Sequence, residues 1–140
     1  MVRLALESRG VSQGMKSGCR AEETRLETAE RLTKFLALIA MVSWRIFFLT
    51  MSARAKPDAA PETVLTSTEI ATLDAIDAAR SKPRILRKTL ATYLLQIAML
   101  GGYLARNHDP PPGNMVVWRG LTRLNDIAFG LSIRTRRRCG

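Results

Sequence analysis

Few residues in this chain of 140 could do chemistry, and their spacing argues against most of it. Cys19 and Cys139 lie far apart and the single histidine is His108. They make no zinc site, which needs four closely arranged nitrogen or sulfur ligands. Both cysteines read as free thiols of a reducing cytoplasm. No metal and no other cofactor is expected. The carboxylates Glu22, Glu23, Glu27 and Glu30 interleave with Lys16, Arg20, Arg25 and Arg31. That pattern suits a mixed-charge helix face in water, and equally a row of long cations that position phosphates without reading bases.

Charge is the other chemical resource. Lys and Arg number 22 against 12 Asp and Glu, a net charge of +10. Residues 1–82 are nearly balanced, so most of the excess follows Pro83 and ends in Arg134, Arg136, Arg137 and Arg138. Such clustering attracts phosphate, and neutralising phosphates releases counterions whatever the base sequence. A solvated basic tail is the plainer alternative.

The elements that hold these residues must come from one small domain with a modest core. Hydrophobic residues make up 46% of the chain and the mean hydropathy is −0.02, values of a soluble globular protein. Residues 1–10 carry Arg3, Glu7 and Arg9 with no apolar h-region, so no signal peptide is expected. The membrane candidate is 35–51, where Arg45 interrupts a greasy run. A mid-span Arg costs about 2.5 to 3.5 kcal/mol, and each uninterrupted piece is shorter than the ~20 residues of a span. A cytoplasmic protein is expected.

The spacing predicts an all-α fold of about four helices, over 24–54, 66–79, 84–105 and 114–133, with no strand. Thr24 with Glu27 has capping-box spacing, as does Thr66 with Glu69. Ser81 and Pro83 suit a third start, and Asn114 can cap the last helix after the break at 109–113. The first helix is apolar on nearly every face over 36–49, and so must be buried by something else. Gly101 and Gly102 either admit a second backbone or end the third helix early. In the last helix Val117, Leu121, Leu124, Ala128 and Leu131 step by four, three, four and three, the spacing of an interhelical seam. That seam is either a dimer face or the domain's own core.

The stretch 14–32, GMKSGCRAEETRLETAERL, resembles the segment that follows the last catalytic residues of bacterial cut-and-paste DDE transposases of the insertion-sequence-four and Tn-five type. Further weak matches follow in family order. They are Trp44-Arg45, residues 61–66, the Gly101-Gly102-Tyr103 element, residues 117–121 and residues 124–127. The family signature is Y-x2-R-x3-E-x6-K. With Lys16 as its Lys, the other three places hold Val2, Ala5 and Arg9. Arg9 puts positive charge where the third metal-binding carboxylate should stand, so the family's Mg2+ site is absent and no catalytic residue is assigned.

The resemblance implies a C-terminal fragment without its catalytic core. Residues 1–13 would be a rearranged N-terminus, 14–31 the end of the catalytic domain, 32–133 a helical dimerisation domain and 134–140 a basic tail. The fragment would be inactive alone and would pair with itself or with a full-length transposase subunit through Val117, Leu121, Leu124, Ala128 and Leu131. The first helix and the glycine pair would be core. Lys16, Arg20, Arg25 and Arg31 would approach transposon-end DNA, weakly if at all. The alternatives are a small basic nucleic-acid-binding helical protein, or a membrane-associated protein through 35–51.

Overall fold

The computed structural model describes residues 28–80 and 87–136, with side chains described as far as Ile133. Among the described residues the fold is all-α. Four helices, α1 (Ala29–Ala55), α2 (Ser67–Ala78), α3 (Leu90–Leu100) and α4 (Asn114–Arg136), are joined by loops and one 3-10 turn at Pro61–Thr63.

The starts of α1, α2 and α3 are each made by a threonine side chain that satisfies an amide which no helical carbonyl can reach. Thr28 caps α1 by accepting from the Arg31 amide, so the first helix begins there; the expected Thr24 and Glu27 cap lies outside the described residues. Thr66 and Glu69 form the expected capping box on α2. The expected start of α3 at Ser81 and Pro83 also falls mostly outside the described residues. Arg87 and Lys88 are not helical, and Thr89 caps α3 through the Thr92 amide. Two more α3 amides, of Leu90 and Ala91, donate to the carbonyls of Ala59 and Pro57. The loop after α1 is thereby fastened to the head of α3. The helix α4 starts at Asn114 itself, with the Gly113 carbonyl accepting from Val116 and Val117, so Asn114 sits inside the helix it was expected to cap.

The third helix stops at Leu100, short of the expected 105. Gly102 has φ +99, a conformation that glycine adopts without steric cost. The Gly102 amide donates to Met99 and the Tyr103 amide to Ala98. These are the paired bonds of a Schellman stop. Arg123 of α4 adds a guanidinium bond to the Leu100 carbonyl at 2.7 Å, where positive charge complements the helix end. Leu104, expected on the helix, lies in the following loop and is exposed.

Gly101 does the other job expected of the pair. A Cβ built on it would lie 1.9 Å from the Val116 carbonyl oxygen, and one on Gly120 would lie 1.8 Å from that of Ile97. So α3 and α4 cross backbone against backbone, and neither position accepts a side chain without separating the helices. Around the crossing, Tyr93, Ile97 and Ala98 of α3 meet Val117, Leu121 and Leu124 of α4, with Ile46, Leu49 and Ala53 of α1, Leu65, and Leu73 of α2 closing the core.

Gly120→Ala is therefore expected to cost about 2 to 4 kcal/mol. Gly130→Ala, at an open helical position, should stabilise by about 0.5 to 1 kcal/mol. Urea unfolding of the two variants checks both signs.

Candidate association surface

The residues expected to meet a partner are mostly used inside the protein. Val117 and Leu124 are fully buried and Leu121 nearly so. Ala128 is half-buried, and Leu131, in the last described turns of side chains, is 40% exposed. The four-three step belongs to α4, but its first three positions face α3 and the rest of the core, because the glycine crossing brings them there. An Asp at Leu121 or Leu124 would thus unfold the domain before it could dissociate a dimer. Of the expected phosphate contacts, Lys16, Arg20 and Arg25 lie outside the described residues, as do Arg9, Cys19 and Cys139. Arg31 is exposed in the first turn of α1.

Among the described residues most of the exposed large apolar side chains are on α1, the helix expected to be core, with others at Leu95, Leu104, Phe129, Leu131 and Ile133. One side of α1 enters the interior through Ile39, Ser43, Ile46, Leu49, Thr50 and Ala53. The other side leaves Leu38, Met41, Trp44, Phe48 and Met51 in solvent, with Met41 at 68% and Trp44 at 53% exposed. Trp44 leans on Phe47, the ring centroids 5.8 Å apart. By length and hydropathy α1 could cross a membrane. Its place in the fold is set by burial and by Arg45, the charge that interrupts the apolar run.

Arg45 Nη2 donates to Glu69 Oε1 of α2. The other oxygen of that carboxylate accepts from the Thr66 amide at 2.9 Å and the Thr66 hydroxyl at 3.0 Å. Glu69 is only 6% exposed. One side chain thus completes the cap of α2 and ties α1 to it, which is how a buried carboxylate is tolerated.

A second polar clasp joins α2 to α3. Asp74 accepts from the Tyr93 hydroxyl at 2.6 Å and from Lys88 Nζ at 2.7 Å. One turn on, Asp77 accepts from Gln96 Nε2 at 2.9 Å. Burial pushes the Asp74 carboxyl up, but the Lys88 and Tyr93 bonds outweigh it and hold the group below its ordinary value. Burial, then donation to Asp74, raises the Tyr93 phenol above its ordinary value. These acids are consumed in joining helices. Among the described residues no buried side-chain nitrogen or oxygen lacks a partner, and no group of three or more His, Cys, Asp and Glu is placed to hold a metal. His108 is exposed in the loop before α4.

Two clefts border α1. One of about 230 Å3 lies against Thr50, Ala53, Arg54, Leu94 and the Pro111-Pro112 turn, and is mostly apolar. The other, about 430 Å3, lies beside Arg45, Glu69, Trp118 and Asp126. The first is smaller than an ordinary small-molecule pocket, and the charged pair in the second is already engaged. The chemistry that α1 offers is apolar contact over an extended face. No protein-family model matches the chain, and no curated protein matches it.

Glu69→Ala removes a cap and strands Arg45 together, for an expected loss of about 2 to 3 kcal/mol, and Glu69→Gln, which retains capping, should lose less. Thermal unfolding of both variants gives the comparison. The α2–α3 clasp predicts two pH limbs. The lowered Asp74 carboxyl contributes stability above its ordinary value of 3.8, lost as pH falls through the folded value. The raised Tyr93 phenol contributes stability below its ordinary 10.0, lost as pH rises through its folded value. Denaturant midpoints across pH should show both limbs, and Tyr93→Phe should abolish the alkaline limb of this clasp.

Proposed function

We propose that this chain acts by association and performs no catalysis of its own. The observation that carries the reading is the two-sided α1, which completes the core with one face and offers Leu38, Met41, Trp44, Phe48 and Met51 to solvent with the other. Scattered exposed apolar residues are ordinary on a monomer, but a contiguous row along one helix marks a contact surface. Every titratable side chain in the two polar clasps already has a structural partner, which leaves that row as the most distinctive surface among the described residues.

The class of partner comes from the resemblance of 14–130 to the end of a cut-and-paste transposase. On this reading the chain is a truncated transposase C-terminal fragment, inactive alone, that engages itself or an intact transposase subunit in the cytoplasm. Paired subunits are required because each holds one transposon end while its active site acts on the other, so an inert fragment in one place would poison the assembly. The net charge of +10 favours a second reading, a small basic nucleic-acid-binding protein. It predicts DNA retention that weakens steeply with salt.

Co-expressing the chain with an intact transposase of the resembled type should lower transposition several-fold, and the chain carrying Trp44→Glu with Phe48→Glu should not. Undiminished transposition in the presence of well-expressed wild-type fragment would sink the transposase reading.

A further inference from the structure

The outward face of α1 has an internal symmetry. Its central positions are Ala37, Met41, Trp44, Phe48, Met51 and Ala55, all exposed. They step by four, three, four, three and four, the alternation of an interhelical seam. The order of residue types is small, Met, aromatic, aromatic, Met, small, which reads the same in both directions. We propose that this seam pairs with a second copy of the same chain, two α1 helices lying antiparallel about a two-fold axis near Ile46.

In that arrangement Trp44 packs beside the partner's Phe48, Met41 beside the partner's Met51, and Ala37 beside the partner's Ala55. A two-fold interface must be self-complementary, residue i meeting j while j meets i, and the mirrored seam meets that condition with matched sizes at every level. Helices related by such an axis are closest at its level, so the aromatics and methionines carry the contact and the exposed alanines mark its ends. The preceding seam positions are Glu30 and Lys34. A parallel pair would place each against its own copy, like charge on like, and would align the helix dipoles; the antiparallel pair avoids both. The exposed apolar area of the row is on the order of 500 Å2 per copy, at the upper end for a monomer's largest patch. Two copies bury roughly 1,000 Å2, the lower bound for a specific interface, which calls for a measurement over a wide concentration range. The inward face remains in the core, and Arg45 remains on Glu69, so pairing requires no unfolding of α1.

This inference rests on the association reading but is tested by a different readout, the mass of the purified full chain by sedimentation from low micromolar to submillimolar concentration. A reversible monomer–dimer equilibrium is expected. Trp44→Glu and Phe48→Glu should each raise the dissociation constant at least tenfold with the helical circular dichroism unchanged, since both side chains are solvent-facing. Met41→Lys and Met51→Glu should each weaken the dimer, and an equimolar mixture of the two variants should restore it as a heterodimer. A parallel seam gives no such rescue, because position 41 would meet position 41.

A monomer at every concentration overturns the proposal, even if the transposition assay shows inhibition, which would leave association with another protein standing. A dimer indifferent to Trp44→Glu and Phe48→Glu, or variants that fail to rescue each other when mixed, overturns it as well. So does a monomer that co-sediments with anionic phospholipid vesicles and loses them on Trp44→Glu, which would make a lipid surface the occupant.

Discussion

Two helices at the centre of the fold meet backbone against backbone. Because Gly101 and Gly120 carry no side chains, α3 and α4 approach until each glycine lies against a carbonyl of the other helix. That approach turns Val117, Leu121 and Leu124 inward and gives Ile97 and Ala98 their burial. The short α3 can then serve as the centre of the core despite its 11 residues. An isolated helix of that length is marginal in water and takes its stability from packing. The Schellman stop and the Arg123 bond at Leu100 finish α3 at the crossing, so the chain leaves before it can clash with α4.

Polar contacts then fix what packing leaves adjustable. Apolar surfaces slide at little cost, whereas a buried carboxylate has few acceptable positions. Glu69 sets α1 against α2, and Asp74 with Asp77 sets α2 against α3. The two rungs of the second clasp share the same offset in sequence, 19 residues, so α2 and α3 run in the same sense where they touch. The loop after α1 contributes as well, because its carbonyls take the first amides of α3.

Much of this architecture was legible in the sequence. The Thr66–Glu69 box and the span of α4 follow from local chemistry, and local chemistry needs no knowledge of the partner. The glycine alternatives were both realised, one at each residue, which periodicity could not decide because it says nothing of which backbone comes near. The direction of α1 was hidden for a related reason. It is apolar all round over 36–49, so no contrast between faces shows which one enters the core, and the burial expected of the whole helix is realised on one side alone. The clasp acids were missed although a signal existed. Asp74 and Asp77 on one helix and Tyr93 and Gln96 on the next are each three residues apart, the spacing at which helical side chains share a face.

The two faces of α1 divide the consequences of genetic drift. Changes at Ile39, Ile46 or Leu49 are felt as misfolding and removed with the protein itself. Changes at Met41, Trp44, Phe48 or Met51 fall on exposed positions and leave the core intact. As copies diverge, the outer row can lose its mirrored order while the inner row persists. The ratio of change on the two faces would measure how much constraint the outer one carries beyond that of folding.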